Sequence, residues 1–332
     1  MTALLAPARP RAVLRATALA GAALLGLTAC AAGAAEDAGR DDALTVVTTT
    51  TVYADVVREV GGDAVVVEPV IDSTAQDPHS YEATAQDRLA VADADLVVLN
   101  GGGYDAFMED LAAQGDALVV EAYGTSGLAG ASAEPSPHEG HEHEGHEHGG
   151  SNEHVWYDLD AMDDVADAVA DRLAGLDPDG ASAYRDNAAA FADRLAALEQ
   201  QLAEVPADNA AFVATEPVAV HLLEDAGLHD DTPAEFTAAV ENGTDVPPLV
   251  LQQVREELRS GHVQLLAVDA QTASGQTAQL RDDARAADAA FVEFTETLPE
   301  GTSYLEWMDG NVTAVADALG ALRPTASGPA AE

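Results

Sequence analysis

Along most of the chain, short β-branched runs alternate with stretches in which apolar residues recur every three or four positions. Leu44 to Thr48, Ala64 to Ile71, Leu96 to Leu99 and Leu118 to Val120 are compact apolar runs and predict strands. Helical spacing lies between and after them, at 52–60, 84–92, 104–113 and 161–176. Pro178-Asp179-Gly180 breaks the last of these helices. A second series follows, with strands at 211–214, 263–268 and 290–294 and helices near 217–226, 248–259, 275–288 and 303–320. Between the two series Tyr184, Ala188, Phe191, Leu195, Leu198 and Leu202 keep spacings of three and four. That stripe predicts one amphipathic helix over 181–204, about 36 Å long at 1.5 Å per residue. The expected fold is therefore α/β: two α/β lobes with mostly parallel sheets, joined by one long rigid helix. The N-terminal lobe would occupy 43–178, the connecting helix 179–205, the C-terminal lobe 206–323 and a tail 324–332.

The first 42 residues follow a different pattern. Arg9, Arg11 and Arg15 precede an apolar run from Ala16 to Ala29, and the first acidic residue is Glu36. This is the layout of an export signal over 1–29, and the run is too short to span a membrane as a mature helix. It ends in Leu27-Thr28-Ala29-Cys30, which resembles the lipobox of bacterial lipoproteins, where the cysteine is lipidated and becomes the new N-terminus. Cys30 is the only cysteine in the chain. It allows no internal disulfide and no thiolate metal site, and it is read as a lipid anchor. Residues 30–42 are small and polar after the anchor and serve as a tether. The expected location is the outer face of the cytoplasmic membrane, held there by lipid.

Charge narrows the partners. The chain carries 59 acidic and 14 basic residues, none of them Lys, for a formal net charge of −45. Such a field repels nucleic acid and attracts cations. Six of the ten histidines lie between His138 and His154. His138, His141, His143, His146 and His148 alternate with Glu and Gly and have no apolar neighbour to bury. They are read as a loop over 138–150 for auxiliary metal capture. His154 is different, because Val155 and Trp156 flank it and place it at the start of an ordered segment.

In open parallel sheets the ligand sits beyond the carboxyl ends of the strands, and four such ends carry candidates. His79 follows the run ending at Ile71, presented by Asp77-Pro78. His154 follows the run 118–120 and the His-rich insertion. Glu216 follows 211–214, and Glu296 follows 290–294. Two imidazoles and two carboxylates from two lobes make a four-point cation site. His221 reads as an ordinary helix residue, and His229 and His262 lie near element ends without matching partners.

Four segments carry a resemblance: DPHSYEATAQD at 77–87, EHVWYD at 153–158, TEPVAVHLLEDAGL at 215–228 and FTETLPEGTSYLEWM at 294–308. In order and spacing they resemble the zinc- and manganese-specific solute-binding lipoproteins of bacterial ABC importers, the ZnuA/TroA-like family, over about residues 43–322. The resemblance implies metal ligands at His79, His154, Glu216 and Glu296. Asn152-Glu153 stands where the family has Asp-Pro before its second ligand. The third ligand is His in zinc members and often Glu in manganese members, and the fourth is usually Asp. It also implies a helical connection between lobes, a permease partner, and a monomer that carries its ion as cargo rather than as a catalytic cofactor. More oxygen ligands shift a site towards Mn²⁺, whereas the Irving–Williams order and the His-rich loop favour Zn²⁺. Zn²⁺ is the expected ion and Mn²⁺ the alternative. A surface metal chaperone or adhesin, or a zinc hydrolase, are the alternatives of another class. The chain has no HExxH and no GxSxG motif, so no enzyme is expected.

Replacing the single cysteine tests the anchor. Cys30→Ser is expected to give a folded protein that is released from the membrane or retains its signal, read by fractionation and N-terminal mass. A variant that stays membrane-bound after normal cleavage would exclude the lipid anchor.

Overall fold

Residues 43–76, 78–128, 152–207, 210–241, 243–272 and 274–322 are described by the computed structural model. The expected signal, Cys30, the tether, the His-rich insertion and the tail lie outside these residues, as does Asp77. In the first half, β1 (Leu44–Thr50), β2 (Val65–Ile71), β3 (Leu96–Leu99) and β4 (Leu118–Glu121) form one sheet in the order β2-β1-β3-β4. All three pairings are parallel. The whole of β3 is buried, as a strand covered on both faces must be. Parallel pairing needs crossovers, and α1 (Thr51–Gly61), α2 (Ala85–Ala92) and α3 (Ala106–Ala112) supply them. A single turn, α4 (Ala122–Thr125), follows β4. The start of α2 is a capping box: the Thr84 side chain accepts from the backbone of Gln86 and Asp87, and Asp87 accepts from the Thr84 N–H.

Two long helices lead to the second half. They are α5 (Leu159–Leu176) and α6 (Ala181–Leu202), separated by the break at Pro178. The second half repeats the scheme. It contains β5 (Ala211–Ala214), α7 (Val220–Asp225), β6 (His229–Asp230), α8 (Ala234–Glu241), α9 (Pro248–Ser260), β7 (Val263–Asp269), α10 (Gly275–Ala286), β8 (Ala290–Phe294) and α11 (Tyr304–Leu322). Its strands are again all parallel, in the order β6-β5-β7-β8.

The predicted strands all form. Three details differ from the sequence pattern. The stretch expected as one helix over 217–226 is a 3₁₀ turn, Pro217–Ala219, followed by α7, because Pro217 starts a new turn at the end of β5. The strand β6 has only two residues, and its pairing with β5 is dictated by its neighbour rather than by any apolar run. The helix α8 contributes one fully buried aromatic, Phe236, to an otherwise Ala-rich stretch, which is too little for a periodic signal.

The connecting helix α6 packs on α5, on α1 of the first half and on α11 of the last. Its six apolar residues, those that set the stripe in the sequence, are the ones it buries. They join one apolar cluster that runs from Val46 and Leu96 in the first sheet to Phe212, Leu265 and Phe294 in the second. Each large side chain so buried contributes about 1.5–3 kcal/mol as an upper figure. The helix thus fixes both sheets on one core. Phe191 is 1% exposed at its centre, so Phe191→Ala is expected to cost about 3–5 kcal/mol in chemical denaturation. A loss below about 1 kcal/mol, the range of surface changes, would mean that α6 is not the shared support.

Candidate metal centre

The carboxyl ends of the two sheets bring five side chains together. His79 lies in the 3₁₀ turn Pro78–Ser80 beyond β2, and His154 directly precedes the 3₁₀ turn Val155–Tyr157. Glu216 comes two residues after β5, Asp269 is the last residue of β7, and Glu296 is two residues past β8. His79, His154 and Glu296 each offer a ligand atom within 4.8 Å of the others, and so do Glu216, Asp269 and Glu296. Glu296 belongs to both groups. His79 Nε2 stands 3.8 Å from its Oε2. Of the four residues expected from the sequence, three meet directly, and Glu216 joins them through Glu296 and Asp269.

His154 shows most clearly what the pocket is built to hold. It is 1% exposed, and its Nε2 has no hydrogen-bond partner among the described residues. Its Nδ1 is 2.7 Å from Asn152 Oδ1, which also accepts from the His154 N–H. Asn152 Nδ2 donates to the Pro217 carbonyl, so the amide is fixed from both ends. Nδ1 therefore carries the proton, and Nε2 is left with a buried lone pair. That is the state in which imidazole ligates a metal. Burial and the neighbouring His79 and His221 hold the His154 pKa well below its usual range, which keeps that lone pair free. His221 is more than a helix residue: it lies in the first turn of α7, and its Nε2 reaches the Asn152 carbonyl at 3.2 Å.

The polar groups behind the imidazoles are tied into the first sheet. Asn100, directly after β3, donates to the Glu153 carbonyl at 2.9 Å and accepts from Tyr53. The Asp105 carboxylate accepts from the backbone of Asn100 and Gly101 and from Thr49. Gly101, Gly102 and Gly103 all have positive φ, and a Cβ at Gly101 would meet the Glu121 side chain. Only glycine makes this turn at low cost. The turn leads to Tyr104, which packs edge-on against His79 and donates to Glu296 Oε2 at 3.0 Å. That hydrogen bond joins the first half of the chain to a carboxylate of the second.

The second half supplies oxygen. Glu216, Asp269 and Glu296 are 4%, 2% and 1% exposed. Burial first, then the charges of Asp269 and Glu296, push the Glu216 pKa up to about 9. Burial also raises Asp269, although it accepts from the Gln271 N–H at 3.0 Å and from Thr272 Oγ1 at 2.7 Å. Carboxylates crowded in this way need protons or a cation. Asp269 was not anticipated from sequence. The rule that found its neighbours, a carboxylate at the end of a buried strand, finds it too. A cavity of about 480 Å³ opens beside His79 and Glu216 and is lined by Thr244, Asp245, Thr272 and Gln276 among others. It gives an ion a polar approach to the site.

Two parallel-sheet lobes share one core and close on a buried imidazole–carboxylate pocket. The chain belongs to the family described as zinc-uptake complex component A, periplasmic, which it matches over residues 46–318. It is similar to the manganese-binding lipoprotein MntA of Halalkalibacterium halodurans, at 28% identity over 165 residues, 48% of this chain and 50% of that one. The chain spans about half the length of the curated relatives it matches. Among solved structures, the SBP FpvC of Pseudomonas aeruginosa in complex with Mn²⁺ has a TM-score of 0.67 at 24% identity, over 84% of this chain and 99% of that one. The periplasmic zinc binding protein TroA of Treponema pallidum has a TM-score of 0.66 at 19% identity, over 83% and 99%. These two likenesses speak for the fold.

The raised Glu216 gives a pH prediction for the metal-free protein. A carboxyl with a higher pKa folded than unfolded keeps its proton in the folded state while the unfolded chain releases it. Stability is then complete below the ordinary 4.5 and is lost as pH rises towards about 9. Denaturation of metal-free protein across this range is expected to show that loss, and Glu216→Gln to flatten it. An unchanged slope in the variant would place the proton elsewhere.

Proposed function

We propose that this protein is the extracytoplasmic receptor of an ABC-type metal importer. It captures one divalent transition-metal ion between its lobes and hands it to a permease. The ligands are His79, His154, Glu216 and Glu296, with Asp269 as an additional carboxylate. The observation that carries this reading is the buried, unpartnered Nε2 of His154 beside buried carboxylates. A site of this kind holds a cation rather than an organic solute. Every ligand must be deprotonated to bind, so affinity falls in acid and binding releases protons.

Zinc remains the first reading for the ion, on the two imidazoles and the Irving–Williams order. The five histidines from His138 to His148 would feed it, and Cys30 would keep the receptor at the membrane. Asp269 favours a second reading. A third carboxylate makes the site harder, which suits Mn²⁺, the ion named for MntA and FpvC.

Release follows from the way the halves are tied. Tyr157 donates to the Thr295 carbonyl at 2.9 Å, Tyr304 to the Trp156 carbonyl at 2.8 Å, and the Leu298 N–H to Thr51 Oγ1 at 3.1 Å. With α6 packed along both halves, a wide hinge is opposed. Movement of the ligand loops when the permease docks is the cheaper route.

Native mass spectrometry with competing Zn²⁺ and Mn²⁺ tests both the site and the ion. One tight ion per molecule is expected. His79→Ala and His154→Ala should abolish it, whereas His221→Ala, which touches Asn152 rather than the ion, should cost on the order of 10-fold. Equal losses in all three variants would remove the ligand assignment.

A further inference from the structure

Three residues outside the interlobe site meet at the opposite end of the second sheet. His229 opens β6, Asp231 follows that strand, and His262 stands between α9 and β7. His229 Nε2 lies 3.4 Å from Asp231 Oδ1, and His262 Nε2 lies 2.9 Å from Asp231 Oδ2. The second contact is unusual. Asp231 Oδ2 is buried, yet among the described residues it accepts no hydrogen bond, from His262 or from any other group. A nitrogen at that distance without hydrogen-bond alignment is not donating to the oxygen. Two donors that share one cation stand in this relation, each aimed at the ion and not at the other.

We propose that His229, Asp231 and His262 form a second, weaker Zn²⁺ site on the edge of the C-terminal lobe. Zinc bonds to nitrogen and oxygen are about 2.0–2.2 Å. Neighbouring donors are then about 2.9 Å apart at a right angle and about 3.4 Å apart at the tetrahedral angle. Both measured separations fall on these values. Two imidazoles and a carboxylate, with water completing the shell, are an ordinary zinc donor set.

The backbone beneath the three residues is fixed. The His229 N–H donates to the Ala210 carbonyl, and the Asp231 N–H to the Phe212 carbonyl. Gly261 caps α9 in the left-handed conformation just before His262, and the Ser260 hydroxyl accepts from the His262 N–H. The side chains differ: His229 and His262 are 79% and 64% exposed, and Asp231 is 21% exposed. The three do not converge on one point as they stand, so an exposed imidazole must turn to close the shell. That ordering makes the site weaker than the interlobe one. The two sites are independent. Ala211 pairs with His229 and Val263 at this end of the ladder, and Glu216 lies past the other end of β5. Four strand residues separate them, about 13 Å at 3.3 Å each. The proposal therefore stands or falls apart from the transport reading.

Carbethoxylation of the full chain by diethyl pyrocarbonate, read histidine by histidine by peptide mass spectrometry, tests it. Zn²⁺ beyond the first equivalent is expected to slow modification of His229 and His262 at least fivefold, both at the same concentration. Asp231→Asn should abolish this protection at both residues and leave that of His154 intact. If circular dichroism shows Asp231→Asn to be unfolded, His262→Gln replaces it, and protection of His229 must then fall. Metal-independent modification of His229 and His262 would overturn the proposal. So would equal protection in the variant, which would mean that single imidazoles bind zinc without Asp231.

Discussion

The structure turns on the burial of Glu216, Asp269 and Glu296 against one another. Three carboxylates within a few ångströms, almost without solvent, form a costly arrangement in a chain that contains no Lys. Their charge has to be met by a proton or by a cation. The raised Glu216 is the metal-free answer. A divalent ion shared with the two imidazoles is the other, and it exchanges a proton held at a distorted pKa for direct coordination. The site is strained towards cation binding in this sense, and the surrounding fold has to hold it closed against its own repulsion.

That restraint comes from two layers. Close to the site, Tyr104 donates to Glu296 across the halves, and Tyr157, Tyr304 and Thr51 add further bonds nearby. Behind it, α6 buries one stripe into a core common to both sheets. The first layer sets positions to within hydrogen-bond tolerance. The second keeps the two sheets from rotating apart. The Asn100, Asp105 and Asn152 network does the same for His154, each buried acceptor taking a backbone or side-chain donor. A fully satisfied buried network of this kind is rigid.

Much of this was legible in the sequence, for identifiable reasons. The strands were readable because parallel strands covered on both faces are continuous apolar runs, as β3 is. The α6 stripe was readable because it faces one core along its whole length. Glu216 and Glu296 were readable as polar residues just beyond strand ends, and His79 and His154 as polar residues on the segments that follow β2 and β4. Asp269 stands directly after the predicted run 263–268 and meets the same rule, but it was not singled out; the structure makes it the last residue of β7. The role of His221 was hidden for another reason: it depends on Asn152, 69 positions away, and no local pattern reports such a pair. The meeting of His229, Asp231 and His262 was hidden in the same way, since β6 is too short to announce the pairing that brings them together.

For the receptor proposed above, the division of donors between the halves has a consequence for how an ion would leave. Among the described residues, the first half brings imidazole nitrogen to the site and the second carboxylate oxygen. Displacing His79, whose side chain is 26% exposed and carried by a short turn, would remove one imidazole and leave all the carboxylates around the ion. Displacing the strand-end loops of the second half removes the charge itself. A divalent ion left on His154 and His79 alone would keep no charge neutralisation in a buried pocket, where the cost of an uncompensated charge is greatest. The cavity beside His79 is lined otherwise by residues of that same second half, Glu216 and Thr272 among them. In the receptor proposed above, movement there would therefore be the more effective route to release.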